Sequence, residues 1–117
     1  GIRSDIPVLL KSSDIIVMSS HFEGLSLSSI EGMAVDRPFI ASDVDGLHEI
    51  TKNAGILFPH GDAKALANII VRLKEEPYYR QIADRCQQRA SKYDIRKTVT
   101  AYLEIYKQLG QYVKPQF

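Results

Sequence analysis

Short apolar runs bounded by polar residues occur three times in the first half of the chain. They are IIVM at 15–18, FIAS at 39–42 and GILF at 55–58. Apolar runs of about four to eight residues are typical of strands that are buried on both faces of a parallel sheet. The pattern therefore predicts three buried strands at these positions.

Helical patterns separate the three predicted strands. Pro7 marks the start of a first helix, with Ser4 or Asp5 as its cap. A second helix is expected from about Leu27 to Val35, and a short helical piece at 47–50. Strands that alternate with helices pair in parallel through right-handed crossovers, so this half of the chain predicts an α/β fold.

The second half of the chain is predicted to be entirely helical. Asp62, Pro77 and Asp94 mark the starts of three helices, and each helix carries an apolar stripe at helical spacing. The stripes are Leu66, Ile69, Ile70 and Leu73 in the first helix, Ile82, Ala83, Cys86 and Ala90 in the second, and Ile95, Val99, Tyr102, Tyr106 and Leu109 in the third.

The predicted sheet is short of strands. Open parallel sheets usually carry about four to six, and the chain opens on Gly1, not on methionine. We therefore expect further strands upstream and interpret residues 1–117 as part of a longer protein. One edge of the sheet and the apolar faces of 15–18 and 39–42 should then lack cover, so we expect exposed apolar surface that self-association or the missing half would bury.

Composition excludes several classes of protein. A formal net charge of +1 gives no reason to expect a nucleic-acid partner. The single cysteine, Cys86, excludes a disulfide framework, and its helix face predicts a buried, inert thiol. No apolar run approaches the ~20 residues that span a bilayer, and no signal peptide is recognisable. These features predict a cytoplasmic location, with the inner membrane surface as an alternative for the longer protein.

Two carboxylates flank a serine-rich loop directly after the first predicted strand. Glu23 and Glu31 are separated by seven residues in FEGLSLSSIEGMA. In an open α/β sheet, ligands bind beyond the carboxyl ends of the strands, where a loop enters a helix. A carboxylate accepts charge-assisted hydrogen bonds from a diol, so Glu31 could hold a ribose and Glu23 a second polyol group.

The backbone between these carboxylates suits an anion. Gly24 lets the chain approach a ligand closely. The amides of Leu25, Ser26 and Leu27 would be free donors at the start of the predicted helix, which is a ready site for a phosphate or diphosphate.

A purely structural interpretation competes with this one. Ser28-Ser-Ile-Glu31 matches the S-x-x-E capping box, in which both side chains only satisfy the first amides of a helix. Glu23 taken alone could equally be a solvated loop carboxylate. The residues of the loop leave both interpretations open.

The motifs from about Asp5 to Leu109, taken in order, resemble the nucleotide-sugar-binding half of a family of retaining glycosyltransferases with the GT-B architecture. This family is the group 1 or family 4 glycosyltransferases. Glu23 and Glu31 fall on the two glutamates of that family's Glu-x7-Glu motif. The other matching positions are Gly24, Pro38, Glu49, Gly55, Asp62, Ala65, Leu66 and Ala67.

The chain departs from the family pattern at two positions. Asp36 stands where the family has a glycine that ends a helix, and aspartate tolerates the left-handed conformation better than most residues. Asp45 occupies the position where the family usually has the first glycine of a Gly-Gly pair, and its side chain would crowd the loop or change its charge.

The resemblance implies a three-layer, Rossmann-like parallel sheet, that is, the C-terminal portion of a GT-B nucleotide-sugar-binding domain, with a helical tail. It implies transfer of a hexose from a nucleoside diphosphate sugar to a sugar, lipid or glycan acceptor, with retention of configuration. Glu31 would hold the ribose hydroxyls and Glu23, the catalytic residue, would lie near the donor sugar. The amides of Gly24, Leu25 and Ser26 would contact the sugar hydroxyls or the β-phosphate.

The resemblance also implies what this segment lacks. The family's glycine-rich loop, its basic pair for the diphosphate and its acceptor-binding N-terminal domain would all lie upstream, so the segment alone is expected to be inactive. Neither a metal nor another cofactor is expected. Of the three histidines, which are interpreted as ordinary surface residues, His21 is the one that could line the cleft. A nucleotide-sugar epimerase of related fold and a non-catalytic nucleotide-sugar-binding module remain as alternatives.

Overall fold

The computed structural model of the protein describes residues 2–24 and 26–112. Its secondary structure begins with a helix and then alternates strands with helices before it ends in helices alone. In chain order the elements are α1 (Ile6–Ser12), β1 (Ile16–Met18), α2 (Leu27–Met33), β2 (Phe39–Ser42), α3 (His48–Thr51), β3 (Ile56–Phe58), α4 (Ala63–Arg72), α5 (Glu76–Ser91) and α6 (Ile95–Tyr112).

The three strands form one parallel sheet in the order β1-β2-β3. Ile16 of β1 lies opposite Phe39 of β2, and Ile40 of β2 lies opposite Ile56 of β3. Each strand begins within one residue of its predicted start, which confirms the predicted α/β fold. All carboxyl ends therefore lie at the same edge of the sheet, and the loop that carries Glu23 leaves from this edge.

The core lies around β2, whose four residues are all buried. Successive side chains of a strand point to opposite faces, so both faces of β2 are covered. The prediction that 39–42 would lack cover is therefore wrong. The reason is that α5 packs on both α2 and β2, and the predicted α5 stripe is buried as expected. The core residues are Met33, Phe39, Ile40, Ala41, Leu47, Ile50, Phe58, Leu73, Ile82, Cys86 and Ala90.

Apolar surface is nevertheless exposed at the margins of the fold. α1 contains no buried residue, and Val17 of β1 is 42% exposed. The predicted α6 stripe has the expected spacing, but all five of its residues are at least 48% exposed. Within the described ranges, no helix combines the length and the apolar character that crossing a membrane requires.

At Asp36 and Asp62, which border helices, the structure agrees with the local signals in the sequence. Asp36 adopts a left-handed conformation with φ of +61°, as predicted, and its carboxylate pairs with Arg80 at 2.6 Å. The carboxylate of Asp62 accepts the backbone N–H of Ala65 at 2.8 Å and so caps α4.

Candidate functional site

The loop from β1 to α2 holds Glu23 in a defined position. The hydroxyl of Ser20 donates a hydrogen bond to Glu23 Oε1 at 2.7 Å. The hydroxyl of Ser42, which is fully buried at the end of β2, donates to the carbonyl oxygen of Ser20 at 2.6 Å. Glu23 is half-buried, so its carboxylate is partly shielded from solvent. No sequence signal singled out Ser20 or Ser42.

The loop between β2 and α3 supports Glu23 from another side. Gly46 has φ of +85°, and a Cβ added to it would lie 1.8 Å from the carbonyl oxygen of Glu23. The same Cβ would lie 2.7 Å from the carbonyl oxygen of Gly24. The two loops are therefore in backbone contact, which only a glycine at position 46 allows.

The cap of α2 differs from the capping box that the sequence suggested. The hydroxyl of Ser26 accepts the backbone N–H of Ser29 at 3.2 Å, so Ser26 is the N-cap. A capping box anchored on Ser28 is therefore wrong, because Ser28 already lies inside the helix. Glu31 lies more than one turn beyond the cap, and its side chain is exposed. Capping thus gives no role to this carboxylate.

Glu31 lies on the wall of a groove between α1 and α2. The groove has a volume of about 480 Å³, within the range of small-molecule sites. Two cationic residues of its lining, Arg3 and Lys11, come from the α1 side, and Arg3 is held by Asp5 at 2.7 Å. The remaining lining residues are Ser4, Ile6, Pro7, Leu10, Ala34 and Val35. Sequence reasoning missed the part that α1 plays, since its residues carry no motif.

The backbone proposed to bind an anion is only partly described. Gly24 is exposed, and an added Cβ there would meet nothing within 4 Å. Packing therefore does not require a glycine at this position, and the expected close approach of a ligand stays a prediction. Leu25 lies outside the described residues. Ser26 is buried, with 7% of its surface exposed. Because α2 has only seven residues, we do not count its dipole as support for anion binding at this loop.

The three histidines all follow the carboxyl ends of strands. His21 packs edge-on against His60, with 4.3 Å between ring centroids. His48 is paired through Nδ1 with the carboxylate of Asp43. His21 therefore faces the loop after β3. In residues 2–24 and 26–112, no group of three or more His, Cys, Asp or Glu residues could hold a metal ion.

Comparison with known families identifies the class of protein that this fold and loop belong to. The profile of the family described as Glycosyl transferases group 1 matches residues 1–76. The chain therefore belongs to the group 1 glycosyltransferases. This agrees with the resemblance found in the motifs between Asp5 and Leu109.

Two relatives are similar over most of this chain. One is N,N'-diacetylbacillosaminyl-diphospho-undecaprenol alpha-1,3-N-acetylgalactosaminyltransferase of Campylobacter jejuni, 35% identical over 109 residues, which are 91% of this chain and 29% of the relative. The other is UDP-Gal:alpha-D-GlcNAc-diphosphoundecaprenol alpha-1,3-galactosyltransferase of Escherichia coli, 29% identical over 109 residues, which are 91% of this chain and 28% of the relative. The chain thus spans less than a third of their length.

Solved structures show the same fold. The crystal structure of HepE of Anabaena in complex with UDP matches with a TM-score of 0.78 and 29% identity, over 93% of this chain and 30% of HepE. HepE has also been solved in complex with UDP-glucose, and that structure matches with a TM-score of 0.77. The chain therefore has the Rossmann-like α/β fold of GT-B glycosyltransferases, with a helical C-terminal part.

Proposed function

We propose that this chain is the donor-binding portion of a GT-B glycosyltransferase that transfers a hexose from a nucleoside diphosphate sugar, with retention of configuration. Residues 1–117 would form the C-terminal part of a longer protein. The observation that carries the proposal is the position of Glu31, which capping does not use and which lines an open groove. Membership of the group 1 family and the nucleotide complexes of HepE support it.

In this proposal the groove beside Glu31 receives the nucleoside. The carboxylate accepts hydrogen bonds from both ribose hydroxyls, which is a charge-assisted, bidentate contact. The apolar side chains that α1 contributes, Ile6, Pro7 and Leu10, would pack against the base.

Glu23 would bind the donor sugar. Ser20 already occupies Oε1, and among the residues that the structure describes no group donates to Oε2, which leaves that oxygen for a sugar hydroxyl. The amides of Gly24, Leu25 and Ser26 would contact the sugar hydroxyls or the β-phosphate. Negative charge develops on the leaving diphosphate during transfer, and fixed amide donors stabilise such charge. The remaining stabilisation would come from basic residues upstream, and no metal is required.

The acceptor would be a sugar, lipid or glycan that an N-terminal domain of the same protein binds. The names of both relatives specify acceptors linked to undecaprenol through a diphosphate. A lipid-linked acceptor of this kind would bring a cytoplasmic enzyme to the inner membrane surface.

The test uses the full-length protein that contains this chain, with a panel of UDP, GDP and ADP sugars and of lipid-linked and free sugar acceptors. Product formation is followed by mass spectrometry, and the anomeric proton coupling in the product's NMR spectrum reports retention or inversion. We expect transfer from one nucleotide class with retention. Conversion of the donor sugar to its epimer without acceptor would instead indicate an epimerase. Binding of the donor without turnover would indicate a non-catalytic module.

A further inference from the structure

The loop that carries Glu23 is attached to the end of β2 by side chains. Buried Ser42 holds the backbone of Ser20, and Ser20 in turn holds the carboxylate of Glu23. Both hydrogen bonds are short, at 2.6 and 2.7 Å, and each has a hydroxyl donor. These hydrogen bonds restrict the rotamers of the Glu23 carboxylate before any ligand arrives, so less side-chain entropy is lost on binding.

The same loop is also fixed by a backbone contact. Gly46 lies so close to the Glu23–Gly24 peptide that a Cβ would approach the Glu23 carbonyl carbon to 2.6 Å. The atoms it would meet belong to backbone, which cannot turn aside as a flexible side chain can. A methyl group at position 46 must therefore displace the loop bearing Glu23, or the loop bearing Gly46, or both.

We propose that Ser20 and Gly46 are positioning residues for Glu23. Ser20 orients the carboxylate of Glu23, and Gly46 allows the backbone of Glu23 to lie close against the loop between β2 and α3. This inference rests on the proposed function for its meaning, since Glu23 must be aimed at a donor sugar for its position to matter. Displacing a group that contacts the reacting substrate by about 1 Å can lower the rate about 100-fold.

The effect should separate from binding of the nucleoside. Glu31 lies on α2, which has its own cap at Ser26, whereas Ser20 and Gly46 reach the proposed site through Glu23 and Gly24 of the preceding loop. Substitutions at positions 20 and 46 should therefore affect the sugar end of the site. A nucleoside monophosphate, which lacks both the sugar and the β-phosphate, is the probe that isolates the Glu31 end.

The experiment compares Gly46→Ala with Gly61→Ala in the full-length protein. Gly61 has a similar φ of +80°, but an added Cβ there would meet nothing within 4 Å. Both substitutions impose the strain of a left-handed alanine, and only the first imposes a clash. Three kinds of measurement are made: the kinetics of sugar transfer, as kcat and KM, the Kd of UMP, GMP and AMP, and deuterium uptake across residues 19–26.

We expect Gly46→Ala to lower kcat about 100-fold and to raise deuterium uptake across 19–26, with monophosphate Kd within about threefold of wild type. Gly61→Ala should match wild type in all three. Unchanged kcat and unchanged uptake in Gly46→Ala would overturn the inference. If the wild-type protein transfers no sugar, the proposed function fails, and deuterium uptake still decides whether Gly46 holds the loop.

Ser20 provides a second test that does not depend on Gly46→Ala folding. Ser20→Ala removes the donor to Glu23 Oε1, whereas Ser20→Thr keeps a hydroxyl at the same position. We expect Ser20→Ala to lower kcat about tenfold or more, as for a lost hydrogen bond to a charged group, with the same monophosphate Kd. Ser20→Thr should restore most of the rate. Equal rates in the alanine variant and wild type would exclude Ser20 as a positioning residue.

Discussion

The hydroxyl of Ser26 accepts the backbone N–H of Ser29 at 3.2 Å. Ser26 is therefore the cap of α2, and Glu31 takes no part in capping. The sequence had offered Ser28 and Glu31 as a capping box. With Ser26 as the cap, Glu31 lies on the exposed surface of the helix, beside the groove that α1 completes. Capping of α2 is thereby removed as an explanation for this carboxylate.

The identity of the cap can be tested by the stability of two serine variants. Ser26→Ala removes the acceptor of the Ser29 amide and should lower the free energy of unfolding by about 1 kcal/mol. Ser28→Ala, at an exposed position inside the helix, should change it by less than about 0.5 kcal/mol. Urea denaturation followed by circular dichroism measures both. A larger loss for Ser28→Ala than for Ser26→Ala would contradict the observed cap.

The role of Glu31 can be separated from stability by a neutral substitution. Glu31→Gln replaces a charged acceptor with an amide, and losing a charge-assisted hydrogen bond typically costs about 1.5–3 kcal/mol. We therefore expect nucleoside diphosphates to bind about ten- to hundredfold more weakly to the full-length protein, with little change in melting temperature. Calorimetric titration measures the affinity.

Glu104→Gln is the matched control for this experiment, since Glu104 is also an exposed helical glutamate and lies on α6. It should leave nucleotide affinity unchanged. Wild-type affinity in Glu31→Gln would leave this residue without a binding role.

Glu23→Gln should have the opposite profile. The amide oxygen of glutamine can still accept the hydrogen bond from Ser20, so the loop should keep its position. The charge that is proposed to bind the donor sugar is lost, and we expect kcat for transfer to fall about ten- to hundredfold. Nucleoside diphosphate affinity should stay within about threefold of wild type. Steady-state kinetics with calorimetry checks this, and an unchanged kcat would refute the catalytic assignment.

Cys86 should be unreactive in the native protein. It is fully buried on α5, and burial raises the pKa of its thiol to about 11. The nucleophilic thiolate is therefore scarce at pH 8. We expect labelling by DTNB at pH 8 to be slow in buffer and fast in 6 M urea, and fast labelling of the folded protein would contradict the observed burial.

The raised pKa of Cys86 also predicts the direction of a pH effect. The native state favours the protonated thiol, so this contribution to stability is complete below the unfolded pKa of about 8.5 and is lost as pH rises through about 11. The free energy of unfolding should fall over this interval by more in wild type than in Cys86→Ala. Because other groups titrate in the same interval, the difference between the two proteins is the quantity to measure.

Local signals in the sequence were sufficient for the elements themselves. The strands begin within one residue of their predicted starts because a short buried run between polar residues is a local pattern. Asp36 was expected in a left-handed conformation and adopts it, and Cys86 was expected to be buried and is buried. The assignments of Glu23, Gly24, Leu25, Ser26 and Glu31 to a donor site remain predictions.

The sequence by itself determined the order of strands and helices along the chain and the parallel pairing of the strands. It also determined the position of two carboxylates on either side of the serine-rich loop after the first strand. Periodicity and turn chemistry act over a few residues, so a local pattern is enough for these features. Only the tertiary structure decided how those carboxylates are held. The contact of Gly46 with Glu23 joins loops 23 residues apart, the burial of β2 depends on α5, and the groove at Glu31 needs α1. Such contacts depend on how elements pack in space, and no local pattern of residues encodes the distance between two loops.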